Sequence, residues 1–338
     1  MLQTGGTHQL NSVSYHGTVN ELQAMNCAAA SPFDRAEWFA LLANEAGRKP
    51  VIAIAKNAHG MAALPLMQAG GVVGPLANWY AFTWRPLVNG SPNKLELLGI
   101  IASQLRQRAF RVTMSPVPDE DGSASLLRDA FADAGWQTEM TKCDDNHVLH
   151  VNGRTYAEYI ARRPGQLRTT LKRKAGKVTV EILAAFDAGS WSDYEDIYQR
   201  SWKPEEGNPA LLRQFAEDEG ALGRIRLGIA RLGGTAIAAQ FWTVESGTAY
   251  IHKLAHLEEH KQLSAGTVLT AALFEHVIDR DGVEMIDFGT GSDRYKADWM
   301  EDIRPRYRID CLNPSDPRSW PALVKRAIRR LAPARHGG

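Results

Sequence analysis

Between Thr248 and Lys296 the chain gathers the residue types that proton transfer and anion binding require: TAYIHKLAHLEEHKQLSAGTVLTAALFEHVIDRDGVEMIDFGTGSDRYK. His252 and His256 fall in a stretch whose alternation reads as a strand. That spacing sets them on one face with Tyr250 and Leu254, and Lys253 on the other. An imidazole titrates near working pH, so a histidine here could take the proton of an ammonium acceptor; it could equally be a satisfied structural group. Asp287 ends the apolar run Val283 to Phe288, just before Gly289 and Gly291. A carboxylate there could act as a base, orient an amine, or bond the turn amides as an Asx cap. Lys261, Ser264, Gly266 and Thr267 surround a small-residue turn at the start of a helix. There a cation, hydroxyls, unpaired N–H groups and the helix dipole would favour a phosphate or pyrophosphate. The plainer reading is a helix N-cap made by Ser264.

These groups need elements to hold them. The segment reads as a strand, the turn Ser264-Ala265-Gly266-Thr267, an amphipathic helix of roughly four turns, and a second strand with a glycine-rich, charged exit. Two other stretches share one plan. VIAIAKNAHGMAALPLM (Val51 to Met67) and LGIARLGGTAIAAQFWTV (Leu227 to Val244) are each a strand, a short Gly-containing link and a return strand with an early Ala-Ala pair. Similar hairpins about 175 residues apart point to a duplicated domain. Around them helices and strands alternate: helices at Ala36–Ala46, Asn93–Arg108, Ser123–Ala134, Thr155–Arg163, Trp191–Ser201 and Ala210–Glu219, strands at Phe110–Met114, Trp136–Lys142, His147–Val151 and Lys177–Leu183. The class is mixed α/β, with mainly antiparallel sheets flanked by helices. The boundary is placed near Val151-Asn152-Gly153, giving domains 1–151 and 152–312 and a tail 313–338.

The 338 residues, 44% hydrophobic and 23% charged with a net charge of +1, describe an ordinary globular chain without global attraction to nucleic acid or membrane. Three scattered cysteines, Cys27, Cys143 and Cys311, argue against a disulfide framework and a zinc site, and fit a reducing cytoplasm. The start, MLQTGGTHQLNSVSYHG, lacks the basic and apolar regions of a signal peptide. No apolar run approaches the about 18–20 residues needed to span a bilayer. Charge is local instead. Arg154 to Lys177 holds eight Lys/Arg and one Glu, a patch for anionic ligands or a solvated helix face. Toward the C-terminus Trp320, Leu323, Val324, Ala327, Ile328 and Leu331 recur at helical spacing, with Lys325, Arg326, Arg329 and Arg330 filling the other face. This is either an interfacial helix for anionic lipid or a helix docked on the protein body with a basic outer face.

KLAH (Lys253–His256), KQLSAGTVL (Lys261–Leu269) and DFGTGSDRYK (Asp287–Lys296), with LRTTLKRK (Leu167–Lys174) and SWK (Ser201–Lys203), resemble the acyltransferase domain of the CelD-like branch of the GNAT superfamily. FemAB-type proteins share the double-GNAT layout that the paired hairpins suggest. Ala265 stands where that branch carries proline in the turn, and KQLSAGT has fewer glycines than the usual GNAT pyrophosphate loop.

The resemblance implies tandem GNAT-like domains and an N-acyltransferase that moves an acyl group from acyl-CoA to an amine by direct attack. No metal and no covalent enzyme intermediate are implied. Lys261, Ser264, Gly266 and Thr267 would hold the CoA diphosphate, and a backbone amide in or beside Ile251 to Ala255 would polarise the thioester. His252 or Asp287 would deprotonate the acceptor. Tyr295 would protonate the leaving thiolate, and Lys296 would hold a phosphate or carboxylate; the plainer reading of this pair is a surface pair on a short helix. Trp202, Lys203 and Tyr250 would shape the acceptor pocket, and Trp79, Tyr80, Trp84 and Arg85 could do so from the first domain. The implied acceptors belong to surface-polysaccharide or lipid pathways, including a sphingoid-base-like amine. The expected setting is a bacterial cytoplasm, peripheral at the inner face of the membrane, with no nucleic-acid partner. A FemAB-type transferase taking an aminoacyl group from tRNA, and a non-catalytic GNAT-like scaffold, are the alternatives.

Overall fold

The computed structural model describes residues 12–25, 27–45, 49–90, 92–291 and 294–331. The N-terminal stretch through Asn11, the last position of the helix expected at Ala36–Ala46, Ser292 and Asp293 of the glycine exit, and the tail beyond Leu331 lie outside them. The chain divides into two compact units, Met1–Cys143 with Pro305–Gly338, and Asp144–Arg304.

The first unit opens with β1 (Ser12–His16), α1 (Asn20–Ala24), α2 (Ala36–Glu45), β2 (Pro50–Asn57), β3 (Gly60–Ala69), β4 (Val72–Pro75) and β5 (Leu87–Asn89). It continues through α3 (Lys94–Leu105), β6 (Arg111–Pro118) and α4 (Ser123–Asp133). Strand β7 (Gln137–His150) carries the chain into the second unit. There follow α5 (Tyr156–Ala161), α6 (Gly165–Lys174), β8 (Thr179–Leu183), α7 (Ala188–Arg200), α8 (Pro209–Ala221), β9 (Ile225–Leu232), β10 (Thr235–Glu245) and β11 (Thr248–His256). Then come α9 (Ala265–Glu275), β12 (Met285–Thr290) and α10 (Arg294–Trp299). Strand β13 (Asp302–Leu312) leads back to the first unit and to α11 (Trp320–Leu331).

The expected hairpins are β2–β3 and β9–β10. In the first, Asn57 Oδ1 accepts the amides of His59 and Gly60 at 2.9 and 3.0 Å. In the second, Gly233 and Gly234 take φ of 56° and 89°, the left-handed pair that a two-residue link between twisted strands requires. Each hairpin is embedded in the same plan. Within the first unit the sheet runs β1-β2-β3-β4-β6-β13, with β5 paired to β3; within the second it runs β8-β9-β10-β11-β12-β7. In both, one parallel pair (β4 with β6, β11 with β12) spans a helical crossover, α3 or α9, and the flanking pairings described are antiparallel. The class is mixed α/β, mostly antiparallel with helices on the sheets, as the alternation implied.

The last strand of each repeat pairs outside the sequence order. β7 follows β6 in the chain but pairs with β12, through Leu149↔Ile286 and Val148↔Asp287. β13 follows β12 but pairs with β6, from Arg306↔Pro118 to Leu312↔Arg111. Each repeat gives up its last strand, so the compact units begin and end at 144 and 304. The described residues from Pro305 to Leu331, expected as the end of the second domain plus a tail, cluster with the first unit.

Helix α9 positions the candidate site. Its Leu269, Leu273 and Phe274 are fully buried, each contributing roughly 1.5–3 kcal/mol by leaving water. It seats closely on β9 because Gly228 has no side chain there: a Cβ would lie 2.9 Å from the Cδ1 atoms of Leu269 and Leu273. No helix among the described residues is long and apolar enough to cross a membrane.

Candidate active site

β11 and β12 pair only through Thr248↔Met285, Ala249↔Ile286 and Tyr250↔Asp287. β11 continues to His256 and β12 to Thr290. Beyond Tyr250, β11 has no ladder partner on its β12 side among the described residues. The backbone there can hydrogen-bond to an extended ligand, as the exposed edge of a sheet does.

A β-bulge rearranges the strand. Phe241 pairs with Lys253 but the next residue, Trp242, pairs with Ile251, so His252 is the extra residue. The expected alternation fails at this point. His252 turns to the side of α7 and α8, where its Nε2 lies 2.8 Å from Thr243 Oγ1 and its ring packs 5.0 Å from Phe241 and 5.2 Å from Phe215. Lys253 turns to that side too, with its ammonium 5.2 Å from the Tyr198 ring. His256 instead meets α9: a Cβ on Gly266 would approach its Nδ1 to 3.3 Å. The two histidines therefore do not share a face.

The start of α9 is not the N-cap that the plainer reading expects. Ser264 adopts a left-handed conformation, φ 53° and ψ 36°, and its side chain makes no capping bond. The first-turn amides thus lack the partner that a Ser cap usually supplies. In the first unit the matching crossover helix α3 is capped, with Asn93 accepting from the Glu96 amide at 3.2 Å. Of the other turn residues, Lys261 is well exposed and sits 3.5 Å from Glu258. Thr267 is half-buried on the first turn.

A buried polar chain joins this turn to Tyr295. Trp242 Nε1 donates to Gln240 Oε1 at 2.9 Å, which fixes the amide with its Nε2 toward Gly266 O at 3.1 Å and Thr270 Oγ1 at 2.7 Å. Thr270 Oγ1 also lies 2.9 Å from Gly266 O and 2.7 Å from Tyr295 Oη. The carbonyl can only accept, so the Thr270 proton belongs there and the Tyr295 phenol donates to Thr270. Burial pushes the phenol up to about 12, outweighing the opposing effect of the Thr270 bond, and keeps it protonated at neutral pH.

Asp287 and Lys296 hold the glycine exit. Asp287 Oδ1 accepts from Asn146 Nδ2 at 3.0 Å and from the Gly289 amide at 2.7 Å, the Asx-turn arrangement. Lys296 Nζ donates to the carbonyls of Gly289 and Thr290 and lies 5.4 Å from the Phe288 ring. Tyr250 is buried, its ring 6.4 Å from His252. Trp202 is exposed, its ring 4.2 Å from that of His256, and the Lys203 ammonium lies 5.2 Å from the Trp202 ring. The structure thus brings Ser264, Gly266, Thr267, His256, Trp202 and Lys203 together at the end of β11. Tyr295 reaches the same turn through Thr270, while Asp287 and Lys296 are engaged at the exit.

Sequence reasoning missed three groups. Glu206 receives the Lys253 ammonium at 3.0 Å. Burial lowers Lys253 to about 8, against the opposing pull of Glu206. Gln240 and Thr270 read as ordinary strand and helix residues, and nothing short of the fold relates them to Tyr295. Trp84 and Arg85, in the first unit, serve its own packing: Trp84 Nε1 donates to Pro65 O at 2.9 Å, and Arg85 pairs with Asp121 at 2.9 Å and Asp34 at 3.4 Å. Trp79 is exposed, its ring 4.4 Å from Tyr80.

The basic stretch is divided. Arg154 and Arg163 both pair with Glu301, and Lys174 donates to Gln262 O at 2.8 Å, just before the α9 turn. Arg168, Lys172, Arg173 and Lys177 remain exposed on and after α6.

Residues 161–297 match the family model of the acetyltransferase (GNAT) domain. Among solved structures the chain is similar to FemX, at 10% identity and a TM-score of 0.62, over 89% of this chain and 98% of that one. It is similar to L-PGS from Bacillus licheniformis at 13% identity and a TM-score of 0.58, over 91% and 94%. A tandem GNAT protein from the clavulanic acid biosynthesis pathway aligns at 13% identity and a TM-score of 0.52, over 90% and 100%. These likenesses establish the tandem fold. No curated protein sequence matches the chain.

Proposed function

We propose that the second unit transfers an acyl group from an acyl-CoA thioester to an amine by direct attack. The observation that carries this is the parting of β11 from β12 after Tyr250, beside a helix whose first turn has no side-chain cap. The pantetheine arm would run along β11 beyond its ladder with β12, and the diphosphate would meet the amides of the first α9 turn with Ser264, Gly266, Thr267 and Lys261. A backbone amide within Ile251 to Ala255 would hold the oxyanion.

The acceptor ammonium must lose a proton before it attacks. His256 and His252 are the candidate bases; Asp287 is a weaker one, since its Oδ1 already accepts two hydrogen bonds. Burial lowers His256, with Lys203 and Lys261 adding to the effect against Glu258, so the ring is neutral at working pH. The amine nitrogen then bonds to the thioester carbon, the C–S bond breaks, and the thiolate takes the Tyr295 proton. The phenolate left behind accepts the Thr270 hydroxyl. Trp202, Lys203 and Tyr250 are proposed for the acceptor side, and Lys296 for holding the exit or an anionic substrate group. The acceptor itself is proposed to come from a lipid (sphingoid-base-like) or surface-polysaccharide pathway.

The test is CoA release from acetyl and long-chain acyl-CoA with a panel of amines, alongside melting temperature with CoA at saturation. A ligand that binds the folded state raises it by mass action. Absence of any shift sinks the proposal and favours a non-catalytic scaffold. The exposed cations of α6 favour a second reading, an aminoacyl-tRNA donor. Activity that requires aminoacyl-tRNA and is lost on RNase treatment would select it.

A further inference from the structure

Helix α11 is turned inside out. A helix on a protein surface ordinarily buries its apolar stripe and gives its charges to water. Here the buried residue is Arg326, 8% exposed, and it is fully engaged. Its guanidinium donates to Gln137 O at 2.8 Å and Asp310 O at 2.9 Å, and pairs with Asp310 Oδ2 at 2.7 Å and Glu139 at 3.1 Å. Ser319 Oγ, donating to Phe110 O at 2.7 Å, and Arg329, pairing with Glu139, complete the attachment. These bonds fix the rotation of the helix. They direct Trp320, Val324, Ile328 and Leu331 outward, 56%, 57%, 63% and 84% exposed.

At 100° per residue the four apolar side chains form one stripe, with Lys325 along one border and Arg330 along the other. The sequence WPALVKRAIRRL holds no acidic residue. An apolar stripe between two rows of cations matches the layering of an anionic bilayer surface, with acyl chains inside and phosphates outside. The long basic side chains can reach the phosphates while the stripe enters the acyl boundary. A second copy of the chain fits less well. Across a two-fold axis the like-charged borders of the two helices would face one another.

We propose that α11 is a docking face for anionic membrane lipid, held flat on the bilayer by Trp320, Val324, Ile328 and Leu331 and drawn there by Lys325 and Arg330. This goes beyond the proposed acyl transfer: α11 belongs to the first unit, and vesicle binding is read without turnover.

The test is flotation of the full chain with vesicles of phosphatidylcholine alone or mixed with phosphatidylglycerol, at low and high salt. The wild type should float with the mixed vesicles and less so as salt rises. Val324→Ser with Ile328→Ser should lower the partition on the order of tenfold or more. Lys325→Gln with Arg330→Gln should lower binding to mixed vesicles by on the order of thirtyfold, at about 1 kcal/mol per basic residue, and shrink the preference for them. All four positions are exposed and outside the Arg326 attachment, and an unchanged melting temperature verifies the fold. Equal flotation of wild type and both double variants, or no flotation of the wild type, overturns the proposal. So does a concentration-dependent dimer without lipid that Val324→Ser with Ile328→Ser makes monomeric, which would assign the face to a second copy.

Discussion

Lys253 Nζ donates to Glu206 Oε1 at 3.0 Å, and the two side chains are only 8% and 11% exposed. The bulge at His252 turns the lysine to this side of the sheet. Removing one partner leaves a buried charge without its counter-ion, which costs far more than the pair itself is worth. Glu206→Gln should destabilise the protein by about 3–5 kcal/mol, while Glu206→Leu with Lys253→Met should recover most of that loss. Urea midpoints measure both. A double variant as unstable as Glu206→Gln would deny that an uncompensated charge is the cause.

Tyr295 is the proposed proton donor to the thiolate. Tyr295→Phe should lower kcat by about 10²- to 10⁴-fold, the range for general acid–base groups, and leave CoA affinity unchanged. Its cost to stability should be about 1 kcal/mol, one hydrogen bond. Thr270→Val keeps the phenol and removes its partner, so kcat should fall less. Steady-state CoA release separates these outcomes, and full activity in Tyr295→Phe would remove the assignment.

His256 carries the pH dependence of the proposed reaction. Its ordinary value is 6.5, and burial lowers it. The active neutral form therefore persists as pH falls through 6.5, and the acid limb of kcat/KM should lie below that value. His256→Gln should flatten the limb. A limb at or above 6.5 in the wild type would point to a different base.

Glu301 carries a pH dependence of stability. The hydrogen-bonded Arg154 guanidinium, with Arg163 beside it, holds the carboxyl below its ordinary 4.5, against the effect of burial. An acid lowered on folding contributes stability above the unfolded value and loses it as pH falls through the folded one. Wild-type stability should thus decline below pH 4.5 more steeply than that of Glu301→Gln. At neutral pH the variant should be less stable by about 1–3 kcal/mol, because two arginines lose a charged acceptor. Chemical denaturation across the acid range tests this, and parallel curves would assign the decline to other carboxylates.

Much of this was readable in the order of residues. Apolar alternation and a Gly-Gly link marked the β9–β10 hairpin, and the repeat of its plan marked the duplication. These features act over a few neighbours, and local sequence carries them. The exit DFGTG was readable too, though what Asp287 does there was not. Whether a carboxylate caps a turn or meets a substrate depends on Asn146, which lies far away in the chain and 3.0 Å away in space.

The sequence by itself determined the elements, the repeat and the residues rich in chemistry. Tertiary structure decided which way those residues face. One extra residue in β11 separated His252 from His256, because the side-chain period of a strand is two and an insertion reverses it. The sixth strands closed on the opposite repeat, because strand pairing depends on which edge is open and not on proximity in the chain. Arg326 drew the charged side of α11 inward, because Asp310 and Glu139 were waiting on strands that the helix itself could not specify.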